Sequence, residues 1–281
     1  MSRALKNNVY NTLIWTAAVL SIAILVFLIA TLIWKGMGAI SVGFLTSASE
    51  NFGSEGGILY QIIGSLALTL CAAVCSFPIA LGVAIYKSEY VKSKVFQNIT
   101  DTIIYSLNGI PSIIFGIFGL IFFVNILQTG VSWFVGGIIL AMMILPTIIL
   151  ASHQAIRSIP NSYRENAQAL GLTQWQVIRA VIFPRGINGA FTGLLLGLAR
   201  AIGETAPIMF IATAFSGVTV PRTFLEPVSS LPTHILALAQ QATNPQALQN
   251  AWGSSLVLVS LVFIFSISAL VRRIQYSKIN Y

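Results

Sequence analysis

Six times along this chain, at roughly 13–34, 59–86, 99–124, 133–152, 189–215 and 251–271, about 20 residues pass with almost no charge. A run of that length crosses the hydrocarbon core of a bilayer as a helix, with every backbone polar group satisfied inside the segment. Spanning strands would need many short stretches of strict alternation, and none is present. The composition agrees: 56% of the residues are hydrophobic and 8% charged, against about 25% charged in soluble domains. The expectation is an all-α, polytopic membrane protein of six transmembrane helices, built as a single transmembrane domain over residues 1–281.

Lysine and arginine set the orientation, because cytoplasmic loops are enriched in them. Counted along six spans, Arg3, Lys6, Lys87, Lys92, Lys94, Arg157, Arg164, Arg179, Arg185, Arg272, Arg273 and Lys278 fall on one side, and only Lys35 and Arg222 on the other. Both termini are therefore expected in the cytoplasm. The net charge of +8 is then a topology signal that calls for membrane lipid and for no nucleic acid. The apolar run after Lys6 lacks a small-residue cleavage site and reads as a retained first helix. Cys71 and Cys75, the only cysteines, stand one helical turn apart, poor geometry for a disulfide, and read as small packing residues. His153 and His234 fall at opposite membrane faces, so no metal pair is expected. A phosphate-binding G-x-x-x-x-G-K loop is absent from the sequence, so no ATP site is expected here.

The connection at about 153–188 carries "SIPNSYRENAQALGLTQWQVIRAVIFPRGING", residues 158–189, whose punctuation reads as helix, glycine turn, helix. Pro160 stops the fourth span. Ser162 with Glu165, and Thr173 with Gln176, have the spacing of capping boxes. Gly171 suits the left-handed position after the first helix, and Pro184 is expected to end the second. Tyr163, Ala167 and Leu170 recur at helical spacing and form a small apolar face. That face fits either a peg for another protein or a surface helix lying on its own bundle.

The same loop resembles the E-A-A, three residues, G, nine residues, I-x-L-P motif of membrane subunits of bacterial ATP-binding-cassette (ABC) importers. Glu165, Asn166, Ala167, Gly171, Val181, Phe183 and Pro184 stand at those spacings, with Asn166, Val181 and Phe183 as departures. "GGILYQIIGSLALTL" (56–70), "IYKSEYVKSK" (85–94), "GIPSIIFGIFGL" (109–120) and "ARAIGETAPI" (199–208) are similar to the PstA-type permease of the phosphate-specific importer; the PstC-type sibling shares the Arg200 and Glu204 region. The resemblance implies a type I importer permease fold, with half of a phosphate pathway on this chain. It implies as partners a homologous permease, a dimer of ATPase subunits that holds ATP and Mg, and an extracytoplasmic phosphate-binding protein. No cofactor is expected on this chain. Tyr163, Arg164, Glu165, Ala167, Leu170 and Gly171 are the implied ATPase-coupling residues.

Arg200 and Glu204 lie inside the fifth apolar run, where a charge costs roughly 2.5–3.5 kcal/mol on insertion scales. Gly189, Gly193, Gly197, Ala201 and Thr205 recur every four residues as a stripe that admits another helix. Thr192, Leu196, Arg200 and Glu204 form the adjacent stripe, so both charges are expected at a protein interface. Arg200, Glu204, Thr205, Ser112 and Asn108 are the expected substrate-pathway residues. A salt bridge that merely locks two helices is the plainer account of the two charges. A proton-coupled secondary transporter, an ABC importer permease for another substrate and a membrane-embedded enzyme are the other functional classes. The first would explain a buried Glu204 but not the loop, and the last lacks a nucleophile, metal cluster or acid pair.

Overall fold

The computed structural model describes residues 3–214, 220–241 and 243–279; the side chains of 3–6, 8, 9 and 275–279 are outside it. Arg3, Lys6 and Lys278 of the orientation signal, residue 215 at the end of the fifth run, and part of the 216–250 connection therefore lie outside the described residues or side chains. The chain runs α1 (Arg3–Gly36), α2 (Val42–Thr46), a two-stranded hairpin of β1 (Ser49–Glu50) and β2 (Glu55–Gly56), α3 (Leu59–Glu89), α4 (Lys94–Asn108) and α5 (Ser112–Gly119). It continues through α6 (Trp133–Arg157), α7 (Asn161–Ala169), α8 (Gln174–Val177), α9 (Phe183–Ala201), α10 (Ala206–Ile211), α11 (Leu231–Gln240) and α12 (Pro245–Ile279). Among the described residues five helices are long and apolar enough to span a membrane. The third expected span is a pair of helices, Lys94–Asn108 and Ser112–Ile126, bent by 87°.

The bend has a local cause. Pro111 has no N–H to give and disfavours helical geometry at Ile110, so α4 cannot run on. The fifth expected span is also interrupted. Its helix begins far earlier than expected, at Gln174, and ends at Ala201. Pro184 does not end the second loop helix as the sequence suggested. A π-helical stretch at Ile178–Ile182 lies between α8 and α9, and its wider ladder lets the helix pass a residue that cannot donate.

α6 forms the centre of the bundle and is buried along most of its length between α3 and α9. The small-residue stripe works as expected within the chain: a Cβ built on Gly189, Gly193 or Gly197 would meet Ala155, Ala151 or Ile148 of α6. Ala201 is fully buried, whereas Thr205 lies beyond the helix end. Cys71 and Cys75 are free thiols, and Cys71 packs where Gly137 of α6 leaves room.

The two ends of the bundle are built differently. At one end, Gly36 abuts Trp252 and Leu256 of α12, and Asn250 Nδ2 donates to the carbonyls of Gly53 and Ser54 at 3.0 Å each, clamping the hairpin. The expected interfacial segment of the 216–250 connection is α11, packed inward at Leu231, Thr233, His234 and Leu238. Burial pushes the His234 imidazole down to about 4, so it is neutral near pH 7. At the other end, α3 finishes beside α7 and α8, and α1 and α12 lead their outer ends to this same side.

Candidate functional site

Two helices end ahead of a proline, and the central helix between them carries one. α4 stops at Asn108 ahead of Pro111, α6 carries Pro146, and α9 stops at Ala201 ahead of Pro207 in the first turn of α10. Continuing α9 through Pro207 would forfeit a hydrogen bond and drive the ring into the carbonyl of Gly203. The chain turns instead, with Gly203 N donating to Arg200 O and Glu204 N to Ala201 O, both at 3.2 Å.

Polar side chains at the breaks meet. Arg200, in the last turn of α9, donates through Nη1 to Asn108 Oδ1 at 3.2 Å. The same oxygen accepts from Thr147 Oγ1 at 3.3 Å. Arg200 Nε lies 3.5 Å from Glu204 Oε1, the arginine side chain 38% exposed and the glutamate 17%. Arg200 Nη2 finds no partner among the described residues. The guanidinium is thus held along one edge and left with donors on the other, which suits recognition of an oxyanion.

The expected set is brought together in part. Arg200, Glu204 and Asn108 form one cluster. Ser112 and Thr205 begin the neighbouring helical segments without hydrogen bonds to that cluster among the described residues. Both charges stand at helix breaks, not mid-helix as the sequence suggested: Glu204 lies in the turn between α9 and α10. Thr147 was missed; its only signal was a hydroxyl beside a proline in an apolar run.

One face of α4 and one face of α6 run from the cluster toward the α7 end of the bundle. Asp101, Tyr105 and Asn108 recur along α4, and Thr147, Leu150 and Gln154 along α6, at the spacing of one helix face. Toward that end lies a cavity of about 450 Å³ lined by Asp101, Tyr105, Leu150, His153, Gln154, Arg157 and Ser158. Buried Lys87 pairs with Asp101 beside it, and His153 Nδ1 lies 2.8 Å from Ser88 Oγ.

The loop beyond this cavity follows the expected plan with two corrections. α7 starts after Pro160, without a side-chain cap, so Ser162 already lies within the first turn and the expected box with Glu165 does not form. Ala167 is 6% exposed, buried in one apolar cluster with Ile156, Ile159 and Val177 and not at the surface. Leu170 is open at 82% and Tyr163 at 41%, and the Arg185 guanidinium stacks 3.7 Å from the Tyr163 ring centre. Glu165 is exposed. Gly171 has φ +81°, and Leu172 N reaches Ala167 O at 3.2 Å while Gly171 N reaches Gln168 O at 2.9 Å. These are the paired bonds of a Schellman ending. At the start of α8, Gln176 Oε1 accepts from Thr173 N at 2.8 Å, as the second capping box required.

Interrupted spans converging on a partly open cation, with a capped helical loop at one end of the bundle, define a transmembrane permease subunit. The chain belongs to the family described as binding-protein-dependent transport system inner membrane component, which matches residues 76–278. Within it, this is an ABC importer permease of the PstA type. It is 30% identical to the phosphate transport system permease protein PstA of Haemophilus influenzae, over 94% of this chain and 93% of that one. To the PstA of Xylella fastidiosa strain Temecula1 it is 32% identical, over 85% and 82%. The fold is shared with a bacterial alginate ABC transporter solved in complex with an alginate pentasaccharide-bound periplasmic protein. The TM-score is 0.65 at 19% identity, covering 95% of this chain and 96% of that one.

Proposed function

We propose that this chain forms half of the translocation pathway of an ATP-driven importer of inorganic phosphate. The observation that carries the reading is Arg200, fixed at a junction of broken helices by Asn108 and Glu204, with no partner for Nη2 among the described residues. A planar fork of N–H donors fits phosphate oxygens better than a point charge does. Glu204 orients the fork, and the anion passes onward along the faces of α4 and α6 toward the cavity at the α7 end. Ser112 and Thr205 flank the pathway at the breaks.

The other half of the pathway comes from a homologous permease, and phosphate is delivered by an extracytoplasmic binding protein. Power comes from a dimer of ATPase subunits that holds ATP and Mg; this chain holds no cofactor. α7 docks on the ATPase through Tyr163, Glu165 and Leu170, with Gly171 setting its angle. The loop end of the bundle, with both termini, faces the cytoplasm, and residues 1–281 act as one permease domain. The basic residues at that end and the loop's likeness to importer coupling motifs support this arrangement.

The test is phosphate uptake by the assembled complex in proteoliposomes. Arg200→Lys and Arg200→Gln are expected to lower uptake at least about tenfold, equivalent to losing roughly 1.4 kcal/mol of transition-state stabilisation, with assembly unchanged. Uptake by assembled Arg200→Gln complex at the parental rate removes the arginine from the pathway.

A further inference from the structure

A push on α7 has to reach the helices that carry the polar cluster, and one side chain joins α7 to the bundle. Arg164 lies in the first two turns of α7, yet its guanidinium points into the chain. Nε lies 3.1 and 3.2 Å from the two carboxylate oxygens of Glu89, and Nη2 2.8 Å from Oε1. The remaining donors reach Ile156 O at 3.2 Å, Ile159 O at 2.8 Å and Asn161 Oδ1 at 3.4 Å. Gln174, the first residue of α8, donates Nε2 to Glu89 O at 2.6 Å. Glu89 is the last residue of α3, and Ile156 lies in the last turn of α6. The ion pair and the arginine's other bonds therefore tie α3, α6 and α7, with α8 joined at the same residue through Gln174; side-chain exposures are 18% for the arginine and 7% for the glutamate.

Simple adhesion does not account for this pair. Ala167 already shares a buried apolar cluster with Ile156 and Ile159, and buried ion pairs are often no more stabilising than apolar contacts of the same volume. A carboxylate at the end of α3 also opposes the helix dipole. What the pair adds is direction, since a forked arginine fixes its partner's orientation where an apolar contact can slide. Thr147 of the Arg200 cluster is on α6, nine residues before Ile156, so about 14 Å of rigid helix separates the joint from the pathway.

We infer that Arg164 and Glu89 form the joint through which movement of α7 is transmitted to α3 and α6. Arg164 is then a positioning residue within this chain, and the ATPase contact falls to Tyr163, Glu165 and Leu170. The inference rests on reading α7 as the ATPase-docking helix.

The experiment measures phosphate moved per ATP hydrolysed by the full complex, with binding protein, in proteoliposomes. Rates are expressed per assembled complex. Glu89→Gln combined with Arg164→Gln leaves no unpaired buried charge, and Arg164→Lys keeps the charge while losing the fork. In the double variant the ratio is expected to fall about twofold to thirtyfold, the span of mutational effects on coupling, while hydrolysis persists. Arg164→Lys falls between it and the parent, and carries the test alone if the double variant does not assemble. An unchanged ratio, or hydrolysis and uptake declining in proportion, overturns the joint alone. A parent complex that hydrolyses ATP without moving phosphate overturns the functional reading and the joint with it.

Discussion

Asn108 is the residue on which the polar cluster depends, because its single side-chain oxygen serves both Arg200 and Thr147. Asn108→Ala strands both donors, whereas Thr147→Val removes one neutral hydrogen bond worth about 0.5–1.5 kcal/mol. The expectation is a fall in initial-rate phosphate uptake of about tenfold for Asn108→Ala and about threefold for Thr147→Val; equal effects contradict the shared-acceptor geometry. Arg200 and Glu204 were legible in the sequence because ionisable side chains inside an apolar run need a reason. Thr147 was not, since a helical threonine ordinarily satisfies its hydroxyl on its own backbone. Its contact with Asn108 crosses 39 residues of chain, a distance no local pattern encodes. Arg164 was legible as part of the loop, but its partner Glu89, on another helix, was not.

At the level of elements, apolar runs located the spans and their ends misled. Averaged hydropathy sees residues 99–124 as one crossing, because a bend at Asn108–Ser112 changes direction without changing polarity. Pro184 read as a stop because the π-helical stretch that accommodates it has no signature in residue type. Ser162 looked like a cap, but Pro160, with its fixed φ, starts the helix earlier. Gly171 was read correctly, and it offers a clean test: an added Cβ there meets nothing within 4 Å, so its φ of +81° is the only obstacle. Gly171→Val is expected to cost at least about 1–2 kcal/mol of backbone strain and to lower uptake per membrane-inserted chain, with Gly171→Asn milder. Full uptake by Gly171→Val contradicts a fixed role for this turn.

For the whole molecule, orientation is the property on which the assignment of partners rests. In a background with Cys71 and Cys75 replaced by alanine, single cysteines at Ser158, on the loop end, and at Ser47 and Leu225, on the hairpin end, occupy exposed positions. Ser229, on the same connection as Leu225, is buried and serves poorly. An impermeant thiol reagent applied to intact cells is expected to label positions 47 and 225 and to spare 158; the opposite result inverts the molecule and moves α7 away from any cytoplasmic ATPase. The seam between α1 and α12 concerns time. The apolar window of α1 has no residue buried within the chain, and its far end rests on α12 through Lys35 over the Trp252 ring, Gly36 on Leu256, and Gln249 to Gly38 O. About 200 residues are translated between those two helices, and at about 5–20 residues per second the ribosome takes on the order of 10–40 s to supply the partner. Through that interval the first span waits in lipid without its partner, and only when the last span emerges can the two close the edge of the bundle.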